Sequence, residues 1–245
     1  MQFTTLALRT NWANLPVQLG MPHTALHLQQ TKDGSHTVVH PSGDTYHSIH
    51  GAVQESQHVF IKNGLQYFLQ EQPKKQVKIL EIGFGTGLNA LLTLQQYADL
   101  EIQYTTLEPY PLTSSIFNQL NYPGQVALLA LHTCPWNSPQ KISMNFSVLK
   151  LQTTLEQAAL PENCFDVVYF DAFAPNSQPE LWTPEAFQKI YAAMTQPAWL
   201  TTYCAKGQVK RDLKSVGFII ESIAGPPGKR EMVRAIKPAL PLQTE

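Results

Sequence analysis

The part of the sequence that most constrains the fold is a short apolar segment followed at once by three closely spaced glycines. Residues 77–82 (VKILEI) have the length and composition of a buried strand. Residues 81–89 (EIGFGTGLN) then form a turn that leads into a predicted helix over about 88–97. Glycine allows a sharp turn close to a ligand, and a helix N-terminus offers free N–H groups. The segment therefore predicts a βα unit with a ligand site at its turn.

The remainder of the chain continues this alternation of strands and helices. Further strands are predicted over 101–107, 146–151, 165–170, 198–203, 218–223 and 231–236. Further helices are predicted over 111–121, 153–159, 184–194 and 208–216. Such alternation is typical of a parallel sheet with helices on both faces, and the short loop 225–228 (GPPG) predicts an antiparallel final pair. We therefore expect an α/β, Rossmann-like fold with a mostly parallel seven-stranded sheet and a C-terminal antiparallel hairpin.

The first part of the chain has a different pattern. Asp33-Gly34 is a hairpin signal between two short β-like segments, and residues 52–69 have apolar side chains at helical spacing. We predict that residues 1–72 form a small β-rich section with one helix that packs on a core domain of residues 73–245. Neither a signal peptide nor a transmembrane run is visible, and we expect a cytoplasmic protein.

Charge and cysteine usage exclude several classes of protein. The net charge is −1, and the three cysteines and eight histidines lack the spacing of a metal site, so we expect no metal. Residues 206–245 nevertheless carry eight Lys and Arg against four Asp and Glu. If two loops converge, one basic rim could contact the phosphates of a nucleic acid. Its candidate residues are Lys206, Lys210, Arg211, Lys229, Arg230 and Arg234.

The spacing of the glycine turn distinguishes between two classes of nucleotide cofactor. The turn reads G-x-G-x-G, and Leu88 stands where a dinucleotide fingerprint has its third glycine. Glu81 would repel a pyrophosphate but can face the ammonium group of S-adenosylmethionine (SAM). Glu108, at the end of the next strand, can accept both hydroxyls of a ribose. The sequence thus favours SAM, and the predicted cofactor residues of the turn and strand ends are Glu81, Gly83, Phe84, Gly85, Thr86, Gly87, Asn89, Glu108 and Asp171.

Asp171 and Phe173 are the predicted catalytic residues. Asp171 follows the strand 165–170, beside the expected position of the cofactor's methyl group. An alkylamine with a pKa of about 10 is protonated near neutral pH, and a nearby carboxylate can accept its proton. Phe173 could stack on a flat substrate ring or shield the site from water. The alternative is structural, with Asp171 as a helix N-cap and Phe173 in the core.

Several of these stretches resemble one known family. They are similar to the methyltransferase half of the bifunctional tRNA 5-methylaminomethyl-2-thiouridine biosynthesis proteins, and especially to its stand-alone form. The matching segments are 33–35 (DGS), 46–48 (YHS), 51–60 (GAVQESQHVF), 80–89 (LEIGFGTGLN), 169–175 (YFDAFAP), 181–183 (LWT), 202–207 (TYCAKG) and 228–232 (GKREM). The resemblance covers about residues 30–237.

The resemblance implies an activity and its partners. It implies SAM-dependent N-methylation of the aminomethyl group of 5-aminomethyl-(2-thio)uridine at tRNA wobble position 34, without an FAD oxidase half. A separate upstream enzyme would then supply the substrate. It also implies that Tyr46 contributes to cofactor binding, and that Ser48, Glu55 and His58 close over the cofactor or the target base. One departure is that residues 148–152 (VLKLQ) lack the acid that often faces adenine, so backbone groups or Gln152 would hold it.

Two other functions remain open from the sequence. A small-molecule amine transferase, such as an aminopropyltransferase or a metabolite N-methyltransferase, would have a related front section. However, paired acids for a long diamine are not evident. An RNA-binding module that has lost turnover is the second alternative, and the intact acids Glu81, Glu108 and Asp171 argue against it.

Overall fold

The computed structural model describes residues 26–239, which contain one large sheet and one small one. The small sheet is a hairpin of β1 (His27–Gln30) and β2 (His36–Val39). The large sheet has the order β5-β6-β4-β3-β7-β8-β10-β9. Its strands are β3 (Gln76–Ile82), β4 (Glu101–Leu107), β5 (Gln140–Lys141), β6 (Phe146–Leu151), β7 (Phe165–Phe170), β8 (Met194–Thr202), β9 (Ile219–Ala224) and β10 (Glu231–Lys237).

The large sheet confirms the predicted topology. Strands β6, β4, β3, β7 and β8 are parallel, whereas β10 runs antiparallel to both β8 and β9. The seven predicted strands are therefore all present, and the last two form the expected hairpin. An eighth strand, the two-residue β5, pairs with β6 at the edge and was not predicted.

Helices cover both faces of this sheet. The helices are α1 (Ala52–Ser56), a π-helical stretch (Gln57–Gln66), α2 (Tyr67–Glu71), α3 (Leu88–Gln96), α4 (Ser114–Phe117), α5 (Gln125–Thr133), α6 (Pro184–Ala193) and α7 (Gly207–Val216), with a 3₁₀ turn at Pro179–Leu181. One hydrophobic cluster joins one face of the sheet to the π-helical stretch and to helices α1, α2, α3, α4 and α5. A second cluster joins the other face to α6 and α7 through residues such as Phe187 and Leu213. Among the helices that the structure describes, none is long and apolar enough to span a membrane.

Two predicted helices differ from the structure, and one observed helix was not predicted. The helix predicted over 111–121 is reduced to α4, and the one predicted over 153–159 is a turn. Helix α5 was not predicted, because its sequence QVALLALHT is apolar nearly throughout and shows little helical periodicity. The residue before α5, Gly124, also provides no side-chain cap.

The front section is tied to the sheet by the continuous helical segment 52–71. Phe60 is fully buried and its ring lies 5.3 Å from that of Tyr169 on β7. Gly64 lies so close to β8 that an added Cβ would be 3.0 Å from Oγ1 of Thr201. The β1–β2 hairpin and this segment therefore belong to the same hydrophobic core as the sheet. The boundary between residues 72 and 73 remains a prediction.

The fold brings four strand ends to one edge. In a parallel sheet, the carboxyl ends of neighbouring strands lie side by side. Strands β4, β3, β7 and β8 are adjacent in the order given, and they lead directly to Glu108, Gly83, Asp171 and Tyr203. All four positions therefore face one region of the molecule.

Replacing Phe60 with alanine tests how firmly the front section is anchored. Removal of a fully buried phenylalanine leaves a cavity, so F60A should lower the free energy of unfolding by about 3–5 kcal/mol. Urea unfolding followed by circular dichroism measures this difference. The control V126A, at a side chain that is 86% exposed, should change stability by no more than about 0.5 kcal/mol. A loss equal to that of the control would show that this helical segment does not contribute to the core.

Candidate functional site

A cavity of about 1710 Å³ opens at the carboxyl ends of the parallel strands. This volume exceeds the ~300–1,000 Å³ usual for one small ligand, so the cavity has room for two. Eleven of the residues predicted from the sequence and from the resemblance line it. They are Tyr46, Ser48, Glu55, Gly83, Phe84, Gly85, Thr86, Glu108, Asp171, Phe173 and Lys229.

The glycine turn needs its glycines for two different reasons. Gly83 has φ +92°, and an added Cβ would be 2.6 Å from the carbonyl oxygen of Asp171. Gly85 has φ +49° and lies against the ring of Tyr46, where an added Cβ would be 3.0 Å from Cδ1. Gly87, at φ +73°, precedes the first turn of α3. The turn is thus packed between β7 and the front section, with backbone exposed to the cavity at Gly83 and Gly85.

Glu108 stabilises the turn from the neighbouring strand. Its Oε2 accepts a hydrogen bond from the backbone N–H of Gly85 at 3.0 Å, and its Oε1 accepts one from Tyr110 at 2.9 Å. Both bonds fix the carboxylate at the cavity wall, where a ribose could reach it. The structure places Glu108 at the cavity wall, and its role towards a ribose stays a prediction.

Two buried histidines hold Thr86, and the sequence did not indicate either of them. His47 Nε2 lies 2.6 Å from the Thr86 hydroxyl, and His132 Nε2 donates to the Thr86 carbonyl at 2.9 Å. Burial lowers the pKa of each imidazole to about 4, so both are neutral at physiological pH. His47 comes from the front section and His132 from α5. The turn is therefore held from two sides by residues distant in sequence.

The structure places Glu81 and Asn89 behind the cavity wall rather than in it. Glu81 is fully buried, and its Oε1 accepts a hydrogen bond from Nδ2 of Asn89 at 3.1 Å. The same amide nitrogen donates to Oδ2 of Asp171 at 2.8 Å. Burial and, to a lesser extent, the negative charge of Asp171 raise the pKa of Glu81 to about 8, although the hydrogen bond from Asn89 opposes the shift. Glu81, Gly87, Leu88 and Asn89 thus lie outside the cavity lining, whereas residues 82–86 line it.

Asp171 reaches the cavity at the end of β7. Its pKa is raised to about 7, chiefly by burial and then by the charge of Glu55. The hydrogen bond from Asn89 and the ammonium of Lys229 oppose this shift. A carboxyl group with a pKa near 7 is suited to exchange a proton at physiological pH. The sequence predicted the position of Asp171, whereas its environment depends on Glu55 and Lys229.

Aromatic rings from both parts of the chain meet above Asp171. The ring of Phe173 lies 5.0 Å from that of Tyr46, edge to face, and 6.1 Å from that of His40. The loop that carries Phe173 is fixed by Trp182, whose Nε1 donates to the Phe173 carbonyl at 2.8 Å. Phe173 is half-buried and lines the cavity, so it is not an ordinary core residue.

The predicted basic rim is only partly free of acidic partners. Lys210 pairs with Glu231 at 2.7 Å. Lys229 points into the cavity and pairs with Glu55, and the buried Arg234 pairs with Glu221 at 2.6 Å. Arg234 is therefore not part of an exposed rim. The Lys210–Glu231 pair does join α7 to the start of β10, which brings the two predicted loops together.

The exposed basic residues of this edge are Lys206, Arg211 and Arg230. Lys206 donates to Asn176 at 2.8 Å, and Asn176 lines the cavity. Arg211 is held by the side chain of Gln208. The three therefore lie beside the mouth of the cavity or on the helix that flanks it.

The end of the cavity beyond β6 is lined by Thr153, Thr154, Leu155 and Glu156. Gln152, which was predicted to hold adenine, is not among the lining residues. Glu156 provides an acid in this loop, four residues beyond the segment in which the sequence lacked one. Among residues 26–239, no group of three or more His, Cys, Asp or Glu side chains could hold a metal ion.

The raised pKa of Glu81 predicts a specific pH dependence of stability. The folded state disfavours the ionised form of Glu81. The contribution of protonated Glu81 to the free energy of unfolding is therefore complete below the ordinary pKa of a glutamic acid and is lost as pH rises towards 8. E81Q should remove the loss, which amounts to about 1.4 kcal/mol per pH unit. Urea unfolding at pH 5 and pH 8 measures it, with E101Q on the exposed end of β4 as control. An equal pH dependence in E81Q and wild type would contradict the assignment.

Comparisons with known proteins agree with this geometry. A family model described as S-adenosyl-L-methionine-dependent methyltransferase matches residues 121–238. The tRNA 5-methylaminomethyl-2-thiouridine biosynthesis bifunctional protein MnmC of Pseudoalteromonas atlantica is 31% identical over 217 residues, which cover 79% of this chain and 31% of that protein. The protein of the same name from Nitrosospira multiformis is 30% identical over 218 residues, 81% of this chain and 35% of that protein. The chain thus spans about a third of the length of these relatives.

Two solved structures share the fold. The crystal structure of MNMC2 from Aquifex aeolicus matches with a TM-score of 0.74 at 24% identity, covering 92% of this chain and 72% of that one. Spermidine synthase from Thermotoga maritima matches with a TM-score of 0.51 at 15% identity, covering 89% and 74%. At such identities, these likenesses show the fold alone. The family model and the curated relatives show that the chain belongs to the SAM-dependent methyltransferase family that includes the methyltransferase half of the bifunctional MnmC proteins.

Proposed function

We propose that this protein methylates the aminomethyl nitrogen of 5-aminomethyl-(2-thio)uridine at wobble position 34 of tRNA. The observation that carries the proposal is the position of Asp171, a carboxyl group with a pKa near 7 that faces the cavity beside the glycine turn. An amine acceptor requires such a group, and the names of the MnmC relatives point to an amine on tRNA. The small-molecule alternative is not favoured, because the likeness to spermidine synthase extends only to the fold.

The residues around the turn fit SAM as the cofactor. Gly83 and Gly85 allow a ligand to approach the backbone, and Glu108 is placed to accept ribose hydroxyls. Glu81 and Asn89 act from behind the wall, where they orient the turn and Asp171. Tyr46, Phe84 and Thr86 complete the lining on this side. When bound, SAM supplies an electrophilic methyl group.

Asp171 prepares the acceptor for attack. The substrate amine enters as an ammonium ion, and its proton passes to the Asp171 carboxylate, directly or through water. The neutral nitrogen would then have a lone pair available for the methyl group that SAM, held at the glycine turn, would supply. A pKa near 7 allows Asp171 to be ionised in a large fraction of molecules and yet to hold a proton readily.

The rings above Asp171 would receive the target base. Wobble uridine must leave the anticodon stack to reach a cavity of this depth. Phe173 provides a ring that can stack on the extruded base, and Tyr46 holds Phe173 edge to face. This arrangement also excludes water from the reacting groups.

The exposed basic residues would position the tRNA. Lys206 contacts Asn176 of the cavity lining, Arg211 lies on α7 and Arg230 follows the lining residue Lys229, and Lys210 adds to them although Glu231 offsets its charge. Phosphate contacts fix the orientation of a nucleic acid without reading its sequence. Because the reaction consumes an aminomethyl group, a separate modifying reaction must supply that group first. A tRNA substrate is consistent with a cytoplasmic location, and the proposal requires neither FAD nor a metal.

Asp171→Asn tests the assignment of the base. Asparagine keeps the size of the side chain but cannot accept the proton, so kcat should fall by about 10²-fold or more while SAM still binds. Single-turnover methyl transfer and calorimetric binding of SAM measure the two effects. The control is Asp166→Asn at the opposite end of β7, where the carboxylate pairs with Lys74 at 2.6 Å. If D171N keeps the wild-type kcat, Asp171 is not the base.

Charge reversal tests the role of the basic edge. The double variant K206E/R211E should weaken tRNA binding and reduce the slope of log K against log salt, because at least two phosphate contacts are lost. The control is K141E on β5, at the opposite edge of the sheet. Filter binding at several salt concentrations provides the data. Equal affinity in the two variants would place the tRNA elsewhere.

A further inference from the structure

The side chain of Lys229 lies in the cavity and not on the outer surface. Its Nζ is 2.6 Å from Oε1 of Glu55 and 3.6 Å from the centroid of the Tyr203 ring. The Glu55 side chain is only 7% exposed, and that of Lys229 is 32% exposed. An alkylammonium ion is therefore already bound in this cavity, and the protein itself supplies it.

The groups around this ammonium ion are held in place by other parts of the fold. Oε2 of Glu55 accepts a hydrogen bond from the backbone N–H of Ser48 at 2.7 Å. The Tyr203 hydroxyl donates to the carbonyl of Ala172 at 2.8 Å, which places the ring beside Asp171. A carboxylate and the face of an aromatic ring together recognise an alkylammonium ion. Neither group depends on Lys229 for its orientation.

Lys229 can leave without movement of the backbone. It lies in the tight loop between β9 and β10, where Gly225 approaches the backbone of residue 229 so closely that an added Cβ would be 2.5 Å from its carbonyl oxygen. His58 fastens this loop to the front section through a 2.8 Å contact with the carbonyl of Ala224. The lysine side chain, however, is a flexible four-carbon chain that can move its ammonium group to water. The groups that form the site, Glu55 and the Tyr203 ring, are thus held in place by the fold, whereas the Lys229 side chain that contacts them is flexible.

We propose that Glu55 and the ring of Tyr203 form the subsite for the ammonium group of the substrate amine, and that Lys229 fills it until the substrate displaces it. The inference rests on the proposed function, since the ligand is the primary alkylammonium of an aminomethyl base. In either state a cation neutralises the buried Glu55 carboxylate, which would otherwise be unpaired. The incoming ammonium lies beside Asp171, to which its proton then passes. Glu55 and Tyr203 are on this account substrate-binding residues, and Lys229 is an internal competitor.

Binding measured without turnover tests this subsite. Two anticodon stem-loops, one with 5-aminomethyluridine and one with uridine at position 34, are titrated by calorimetry into the full chain saturated with S-adenosylhomocysteine. The dissociation constant of the uridine stem-loop divided by that of the 5-aminomethyluridine stem-loop is the ratio that reports the contribution of the ammonium group. Glu55→Gln keeps an acceptor for Ser48 but loses the charge, so it should lower this ratio by about tenfold. Lys229→Met should raise the ratio, because the competitor is gone.

Matched variants distinguish the subsite from a purely structural ion pair. Tyr203→Phe keeps the aromatic ring but loses the hydroxyl bond to Ala172, so it should lower the ratio less than Tyr203→Leu, which removes the ring. If Lys229→Met does not fold, Lys229→Gln also removes the competing charge. A ratio of one in the wild type, an unchanged ratio in Glu55→Gln, or a lower ratio in the Lys229 variants would overturn the proposal.

Methyl transfer is measured separately on the same stem-loops, so the two proposals can fail independently. A ratio that responds as expected without methyl transfer would refute the proposed function and retain the subsite. Methyl transfer together with a ratio that is unchanged in Glu55→Gln would refute the subsite and retain the proposed function.

Discussion

Two acidic side chains lie at the ends of adjacent strands within an apolar core, and a single amide donates to both. Glu81 is the buried penultimate residue of β3, and Asp171 directly follows β7. Nδ2 of Asn89 donates a hydrogen bond to each of the two carboxylates. Burial raises the pKa of both acids, and the charge of Asp171 contributes to the shift at Glu81. The first turn of α3, the glycine turn and Asp171 are therefore one connected unit.

The local sequence was sufficient to predict the strands of the large sheet and the edge of the sheet at which the candidate site lies. Segments such as VKILEI and FDVVYF are short apolar runs bounded by turns, and their order specifies parallel strands. Because neighbouring parallel strands end at the same edge, the positions of Glu108 and Asp171 followed from topology. Helix α5 was missed because its uniformly apolar sequence has no polar face from which a period could be read.

The contacts between the front section and the core could not be predicted from local patterns. Glu55 and Lys229 are 174 residues apart, and His47 and Thr86 are 39 apart. Each pair forms only because the helical segment 52–71 packs on the same sheet face as α3. The predicted basic rim included residues that are paired with acidic side chains, and these pairs could not be predicted for a similar reason. The ion pairs of Lys210, Lys229 and Arg234 join elements whose proximity the composition does not reveal.

The central claim is that Asp171 and the glycine turn serve an amine on tRNA. The most direct test is transfer of labelled methyl from SAM into tRNA isolated from a strain that lacks this methylation, followed by nucleoside analysis. The account predicts that the label is recovered in 5-methylaminomethyluridine or its 2-thio form. Label in any other nucleoside, or no label in tRNA although the protein binds SAM, would contradict it.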